Sequence, residues 1–274
     1  MRELAGRNAL VTGGALGMGK SLARRLLGEG ARVALVDIRG DELERTAGEL
    51  RTAGEVFTYV CDISDRLAVY GLAERVREEF GPVDVLVNNA GIVKSNFFME
   101  KPDEVIERTI SVNLMAHFWT MKAFLPDMIA KREGHVVNMS SAGGLLAVPY
   151  ISDYSASKFA VIGLTEALRQ EFRLEGFKKI NFTCVCPNTV GTGLFEGATM
   201  VKGTKLLTAD EVTDKVLKGI KRNKAFVGVP GSVYTVPLVK AILPVRAMDF
   251  LSRVLGISTS SRTTKGRGDY TCQE

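Results

Sequence analysis

The chain has 274 residues, 46% apolar and 24% charged, enough to bury a full core with the balance of a soluble globular protein. Its formal charge of +5 comes from Lys and Arg spread along the chain without a zinc-finger or helix-turn-helix pattern. That argues against nucleic acid and for a basic surface that favours anionic ligands. No uncharged apolar run of about 18 residues exists to cross a membrane, and the first residues lead straight into a strand, so no signal peptide is expected.

Strand and helix patterns alternate from the start. Residues 8–12 predict a short buried strand, followed by a glycine-rich turn and a helix over 19–27. Strand 32–36 and helix 41–53 come next, then strand 56–60 and helix 66–80. Strand 83–88 precedes one long helix over 102–130. Strand 134–140, helix 154–174 and strand 180–186 follow, and residues 224–228 supply a seventh strand. The strands are short and apolar on both faces, as in a parallel sheet covered by helices. The alternation predicts an α/β, doubly wound parallel sheet of about seven strands with helices on both faces. No linker divides it, so residues 1–274 are expected to form one domain.

Residues 191–208 are rich in small and polar side chains and predict a mobile substrate loop. Residues 210–224 carry mixed charges at helical spacing, expected as a solvated helix face with a smaller chance of helping to bind an anionic substrate. The extension over 233–257 is amphipathic: Val245, Met248, Leu251 and Leu255 recur at helical spacing, with Arg246, Asp249 and Arg253 on other faces. It suits packing on the domain or a neighbouring subunit, a lid over an apolar pocket, or peripheral contact with a membrane surface. From Ser258 onward the chain is polar and expected to be poorly ordered.

Cys184 and Cys186 share a face of one strand but lie too close along it to bridge easily. With Cys61, Cys272, His117 and His135 they form no metal-ligand pattern. No metal is expected, and a reducing, cytoplasmic setting is. Both histidines read as structural.

The first strand–helix turn, Thr12 to Lys20, places Gly13, Gly17 and Gly19 where backbone must turn sharply and approach a pyrophosphate, with Ala15, Leu16 and Met18 completing the cradle. Asp37 ends the second strand, where a carboxylate accepts from both ribose hydroxyls of an adenosine and repels a 2′-phosphate. NAD is therefore favoured over NADP, although Arg39 is within reach of such a phosphate. Asp62, with Ile63 beside it, follows the third strand and is placed to accept from an adenine amino group; alone it reads as a helix or turn cap. Tyr154 and Lys158, four apart on a helix, share a face. The ammonium and an oxidised nicotinamide would both favour the phenolate and bring Tyr154 toward a useful acid/base pKa.

In these motifs the chain resembles the short-chain dehydrogenase/reductase superfamily over at least residues 4–230. The matching pieces are Thr-Gly-x-x-x-Gly-x-Gly at 12–19, Asn-Asn-Ala-Gly at 88–91, Asn113, Ser-Ser at 140–141 and Tyr-x-x-x-Lys at 154–158. The resemblance implies an NAD-binding Rossmann fold and an oxidoreductase interconverting an alcohol and a carbonyl compound. It implies that Tyr154 moves the proton, that Lys158 lowers the tyrosine pKa and holds the nicotinamide ribose, and that Ser141, rather than Ser140, polarises the substrate oxygen. Asn113 would bind a water linking Lys158 to a proton relay. The segment Asn88, Asn89, Ala90 and Gly91 would brace the sheet near the adenosine ribose, with Asn88 and Gly91 mainly structural. Pro187, Val190 and Thr192 match positions at the nicotinamide carboxamide. Asn188 departs from the family's Pro-Gly; Asn tolerates a positive φ, which would preserve the turn.

The extension, together with Asn223, Lys224 and Pro230, resembles the branch acting on retinoids, steroids and other lipophilic alcohols. A lipophilic secondary alcohol or ketone (steroid, retinoid or fatty type) is thus the expected small-molecule substrate. The alternative enzyme is a 3-oxoacyl-thioester reductase, to whose carrier Lys202 and Lys205 would be attractive and against which Asp37 argues. A non-catalytic dinucleotide-binding regulator is the alternative outside enzymes. The family resemblance also implies a homo-oligomer, a dimer or tetramer, paired through the helices at 102–130 and at Tyr154.

Overall fold

A computed structural model describes residues 3–266. Seven strands form one all-parallel sheet in the order β3-β2-β1-β4-β5-β6-β7. They are β1 (Asn8–Thr12), β2 (Arg32–Asp37), β3 (Val56–Val60), β4 (Val85–Asn88), β5 (Gly134–Met139), β6 (Ile180–Pro187) and β7 (Phe226–Val229). Each predicted strand is present, with ends displaced by no more than a few residues.

The two-residue period of a strand explains why both faces of the sequence are apolar. In β1, Ala9 and Val11 join one core while Leu10 joins the other. The first core is closed by α1 (Gly17–Gly28), α2 (Gly40–Leu50) and α7 (Ala209–Lys221), which contribute Leu22, Leu26, Leu43, Ala47, Val212 and Val216. The second is closed by α3 (Arg66–Glu79), α5 (Ala116–Lys131) and α6 (Ser152–Leu174), through residues such as Leu72, Val76, Phe124 and Met128.

Several boundaries have local causes. Asp65 begins α3 by accepting from Leu67 N at 2.7 Å and Ala68 N at 3.2 Å, so Asp65, not Asp62, is the helix cap there. Thr208 and Glu211 form a reciprocal capping box that starts α7. The stretch expected as a solvated face is indeed helical there, but it also buries Val212, Val216 and Ile220, while Asp210 and Asp214 pair with Arg25 of α1.

The predicted long helix is interrupted. It runs as α4 (Asp103–Ile110), a π-helical turn over Ser111–Met115, and then α5. A π turn carries an extra residue that shifts the phase of the helix face, a device found mostly at functional sites; here it carries Asn113.

Beyond β7 lie α8 (Val236–Ile242), α9 (Val245–Leu255) and the single turn α10 (Ile257–Ser260). Met248, Leu251 and Leu255 of α9 are half-buried, but Val245 of the predicted apolar stripe is 77% exposed. Residues 258–266 correct the expectation of disorder. Their backbone bonds the loop before α7, from Thr199 N to Ser260 O at 2.8 Å and from Lys265 N to Glu196 O at 2.9 Å, and Ser260, Ser261 and Thr264 are buried. Residues 267–274, and with them Cys272, lie outside the described residues. Among the described residues no helix is long and apolar enough to cross a membrane, and no cluster of His, Cys, Asp and Glu could hold a metal ion.

Candidate active site

The strand order reverses at β1 and β4, and the crevice this opens at their C-terminal ends is where open α/β sheets bind ligands. Thr12 knits its two rims together: its hydroxyl accepts from Asn89 N at 3.0 Å and Ala90 N at 3.2 Å. The Asn89 side chain returns the link by donating to Thr12 O and Gly13 O at 2.9 and 3.2 Å.

Two glycines are indispensable to this turn. Gly13 has φ +63°, and a Cβ there would sit 2.9 Å from Ala90 Cα. A Cβ on Gly19 would lie 2.0 Å from Gly13 O. The turn delivers the chain into α1, whose N-cap residue Leu16 makes no side-chain cap, so the helix offers backbone N–H groups to an anion. Asp37, 7% exposed, accepts from Ala15 N at 3.2 Å and from Arg39 N at 3.2 Å. Arg39, which the sequence placed within reach of a 2′-phosphate, instead turns its Nε to Asp37 at 3.5 Å.

Asp62 has local partners. It accepts from Ser64 N at 2.9 Å and pairs with Arg108 at 2.9 Å. Against the upward push of burial, those partners hold its carboxyl below the usual value. The adjacent Ile63 side chain is in the second core.

The C-terminal ends of β5 and β6 and the start of α6 complete the cleft, which is lined among others by Gly91, Ser141, Tyr154, Lys158, Val190 and Thr192. Tyr154 hydrogen-bonds Ser141, and Lys158 Nζ lies 5.6 Å from the centre of the tyrosine ring. Lys158 also donates to Met139 O at 2.9 Å. Ser140, the neighbour of Ser141, turns away and donates to Lys158 O at 2.8 Å, as the alternation of side chains along a strand requires.

The electrostatics of the cleft run against the simple expectation for Tyr154. Burial pushes the phenol up to about 12, opposed by the Ser141 bond. Burial likewise pushes Lys158 down to about 8. Desolvation is thus the largest cause at both groups.

Asn113 sits behind this pair. Its Oδ1 accepts from Ile92 N at 2.8 Å, and its amide donates to Ile92 O at 2.9 Å and Ser157 Oγ at 3.3 Å. Both amide hydrogens are thus committed, and the expected water would meet a remaining Oδ1 lone pair. Asn88 belongs to a buried network with Asn138 and Thr120. Asn188 preserves its turn without a positive φ: its Oδ1 accepts from Thr189 N at 2.9 Å, and its own N–H donates to Val229 O at 2.7 Å.

The two histidines are buried, and burial pushes both down to about 3; the Lys158 charge adds to the effect at His117. His135 Nε2 is 2.8 Å from Thr183 Oγ1. Cys184 and Cys186 are free thiols with sulfurs 4.0 Å apart. Lys205 is paired with Glu211, which removes one of the two cations offered to a thioester carrier.

Sequence reasoning missed two features. Phe195 packs edge-on against Tyr154 with centroids 5.6 Å apart. With Leu194, Val148, Val93 and Ile151 it makes an apolar wall beside the phenol. Its position in a loop of small residues gave no periodic signal. The second is a buried ion pair, Lys101 to Asp153 at 2.5 Å, with side chains 0% and 2% exposed. Asp153 directly precedes Tyr154, but its partner lies 52 residues away.

Residues 7–201 match a family model described as short chain dehydrogenase. The chain is 38% identical to the Homo sapiens protein named retinol dehydrogenase 10, an alignment covering 93% of this chain and 84% of that protein. It is 36% identical to estradiol 17-beta-dehydrogenase 11 of Rattus norvegicus, covering 93% and 86%. Among solved structures, a short chain dehydrogenase/reductase from Burkholderia phymatum in complex with NAD superposes with a TM-score of 0.80 at 26% identity, covering 99% of this chain and all of that one.

Proposed function

Because the chain belongs to the short-chain dehydrogenase family, we propose that it transfers a hydride between NAD(H) and a lipophilic secondary alcohol or ketone of steroid, retinoid or fatty type. One observation carries this reading: Tyr154, Ser141 and Lys158 converge in a cleft with an apolar wall on one side and a glycine cradle on the other. The cradle fits a dinucleotide. The approach of Gly19 to Gly13 leaves no room for a side chain, and Asp37 is tied to the turn that would face the adenosine. Gly13, Ala15, Leu16, Gly17, Met18 and Gly19 would hold the pyrophosphate; Asp37 the ribose; Asp62, Ile63, Asn89, Ala90 and Gly91 the adenosine side; and Pro187, Val190 and Thr192 the nicotinamide. Bound NAD(H) supplies the hydride acceptor or donor.

In the oxidation direction Ser141 donates a hydrogen bond to the alcohol oxygen and Tyr154, as the phenolate that the positive charges of Lys158 and bound NAD⁺ would favour against burial, takes the hydroxyl proton while the hydride leaves the carbinol carbon. Reduction runs the same steps backward, with the Tyr154 phenol returning the proton to the carbonyl oxygen. Lys158 would bond the nicotinamide ribose and favour the Tyr154 phenolate, and Asn113 fixes the backbone at Ile92 behind them. The same reading treats residues 1–274 as one domain and the protein as a cytoplasmic homo-oligomer paired through α5 and α6. Sedimentation showing only monomer would remove that last element.

The test is NADH formation from NAD⁺ across secondary alcohols, from short polar ones through 3-hydroxyacyl thioesters to steroids and retinol, with NADP⁺ controls. Turnover with NAD⁺ and bulky apolar alcohols supports the proposal. Activity confined to thioesters, or a strong NADP⁺ preference, overturns the corresponding half of it.

A further inference from the structure

Large apolar side chains are not exposed at random on this protein. Of fifteen that are exposed among the described residues, ten fall in three segments: 97–99, Leu206 and 234–254. The last of these is α8, α9 and the turn leading into them, and neither helix buries a single residue fully. Leu238 and Ile242 lie one turn apart on α8, at 62% and 69% exposure. Phe250 and Val254 lie one turn apart on α9, at 69% and 47%, with Val245 at its start. Isolated exposed apolar residues need no explanation, but a concentration of this kind marks an interaction surface.

The charge around these residues identifies the partner. Residues 231–266 contain Lys240, Arg246, Arg253, Arg262 and Lys265 against Asp249 alone, so a net +4 of the chain's +5 resides in this segment. On α9, Arg246 is one turn from Phe250 and Asp249 one turn from Arg253, so cations flank the exposed apolar residues. A second copy of this chain meeting the same face about a two-fold axis would bring these cations against their own duplicates. An anionic lipid surface accepts both features at once: apolar side chains enter the acyl boundary and the cations meet the headgroups.

The position relative to the cleft agrees. The Lys202 N–H bonds Leu255 O at the end of α9, and that same loop supplies Leu194 and Phe195 to the apolar wall. The exposed segment 97–99 adjoins Asn96, whose N–H bonds Tyr150 O, and Arg262 of the tail lies over the Tyr150 ring. The apolar side chains of α8, α9 and 97–99 are therefore borne on segments tied to the walls of the cleft.

We propose that α8 and α9 dock this protein peripherally on anionic membranes, setting the cleft beside the lipid phase from which a lipophilic alcohol would enter. The docking rests on the exposed residues and their charge; only the link to substrate entry rests on the function proposed above. Among the described residues no helix is long and apolar enough to cross a membrane, so the contact proposed is peripheral.

The experiment is flotation of the full chain with vesicles of phosphatidylcholine mixed with phosphatidylserine, and with phosphatidylcholine alone, in the absence of substrate and NAD⁺. Binding to the mixed vesicles that weakens with salt is expected. Arg246→Ser and Arg253→Ser should each weaken it roughly fivefold, and Phe250→Ser by about tenfold or more. All three variants should keep the wild-type melting temperature, since each residue is exposed. Turnover of a water-soluble alcohol, read separately, should be unchanged by Phe250→Ser, so a failed function and a failed docking surface give different results. Absence of binding to either vesicle overturns the proposal. So does concentration-dependent self-association that Phe250→Ser abolishes, because the face then belongs to a second copy.

Discussion

Replacing Lys101 by Met should destabilise the protein far more than an ordinary single substitution. The ammonium lies 2.5 Å from Asp153 and 3.0 Å from Lys94 O, in a site where both side chains are almost fully excluded from water. The second carboxylate oxygen of Asp153 already lacks a hydrogen-bond partner among the described residues. Without Lys101 the carboxylate would retain only the N-terminal dipole of α6, whose first turn it occupies. Removing one partner of a buried pair typically costs about 3–5 kcal/mol, whereas replacing both by apolar groups of similar size is often neutral. Lys101→Met alone should therefore lower the urea midpoint sharply, and Lys101→Met with Asp153→Leu should recover most of the loss. The pair also ties the 94–101 segment to the residue before Tyr154, so turnover should fall with the single variant and return partly with the double. A single variant within about 1 kcal/mol of wild type, or a double variant worse than the single, would refute the reasoning.

Three further outcomes follow from the structure. Asp37→Ser removes the carboxylate that repels a 2′-phosphate and frees Arg39; it should raise the NADP⁺/NAD⁺ ratio of kcat/KM at least tenfold, about 1.4 kcal/mol, as steady-state kinetics would show. Gly19→Ala drives a Cβ into Gly13 O; it should weaken NAD⁺ binding by about tenfold or more in calorimetry. His117 and His135 have pKa values depressed by burial to about 3 from 6.5. Their neutral forms stabilise the fold above pH 6.5, and this contribution is lost as pH falls from 6.5 toward 3, at about 1.4 kcal/mol per pH unit for each histidine. Urea unfolding across that window should show the slope, and His117→Gln combined with His135→Gln should flatten it.

The sheet was legible because a parallel strand buried on both faces is a short, largely apolar run, as in residues 9–11, 33–36 and 85–87. The glycine turn and the Tyr154–Lys158 pair were legible because their chemistry dictates residue types at short fixed spacing. What the sequence concealed depends on contacts distant in the chain. The π turn at Asn113 leaves no local signal, since Ser111, Val112, Asn113, Leu114 and Met115 are all compatible with an α-helix. Lys101 and Asp153 lie 52 residues apart, and only the fold brings them together and buries them. The pairing of Asp62 with Arg108 of α4 likewise joins residues far apart in the chain. Residues 260–265 are polar yet bond residues 196–199 through Ser260 O, the Thr263 hydroxyl and Lys265 N, so polarity there signified docking rather than disorder.

The most direct test of the account follows the fate of the carbinol hydrogen. A lipophilic secondary alcohol deuterated at that carbon would be incubated with NAD⁺ and either the wild-type protein or Tyr154→Phe. The account predicts that wild type yields NADH carrying the deuterium in step with the ketone, slowed relative to the protiated alcohol, and that Tyr154→Phe binds NAD⁺ but forms almost no product. Reduced cofactor without deuterium, or equal turnover by Tyr154→Phe, would contradict it.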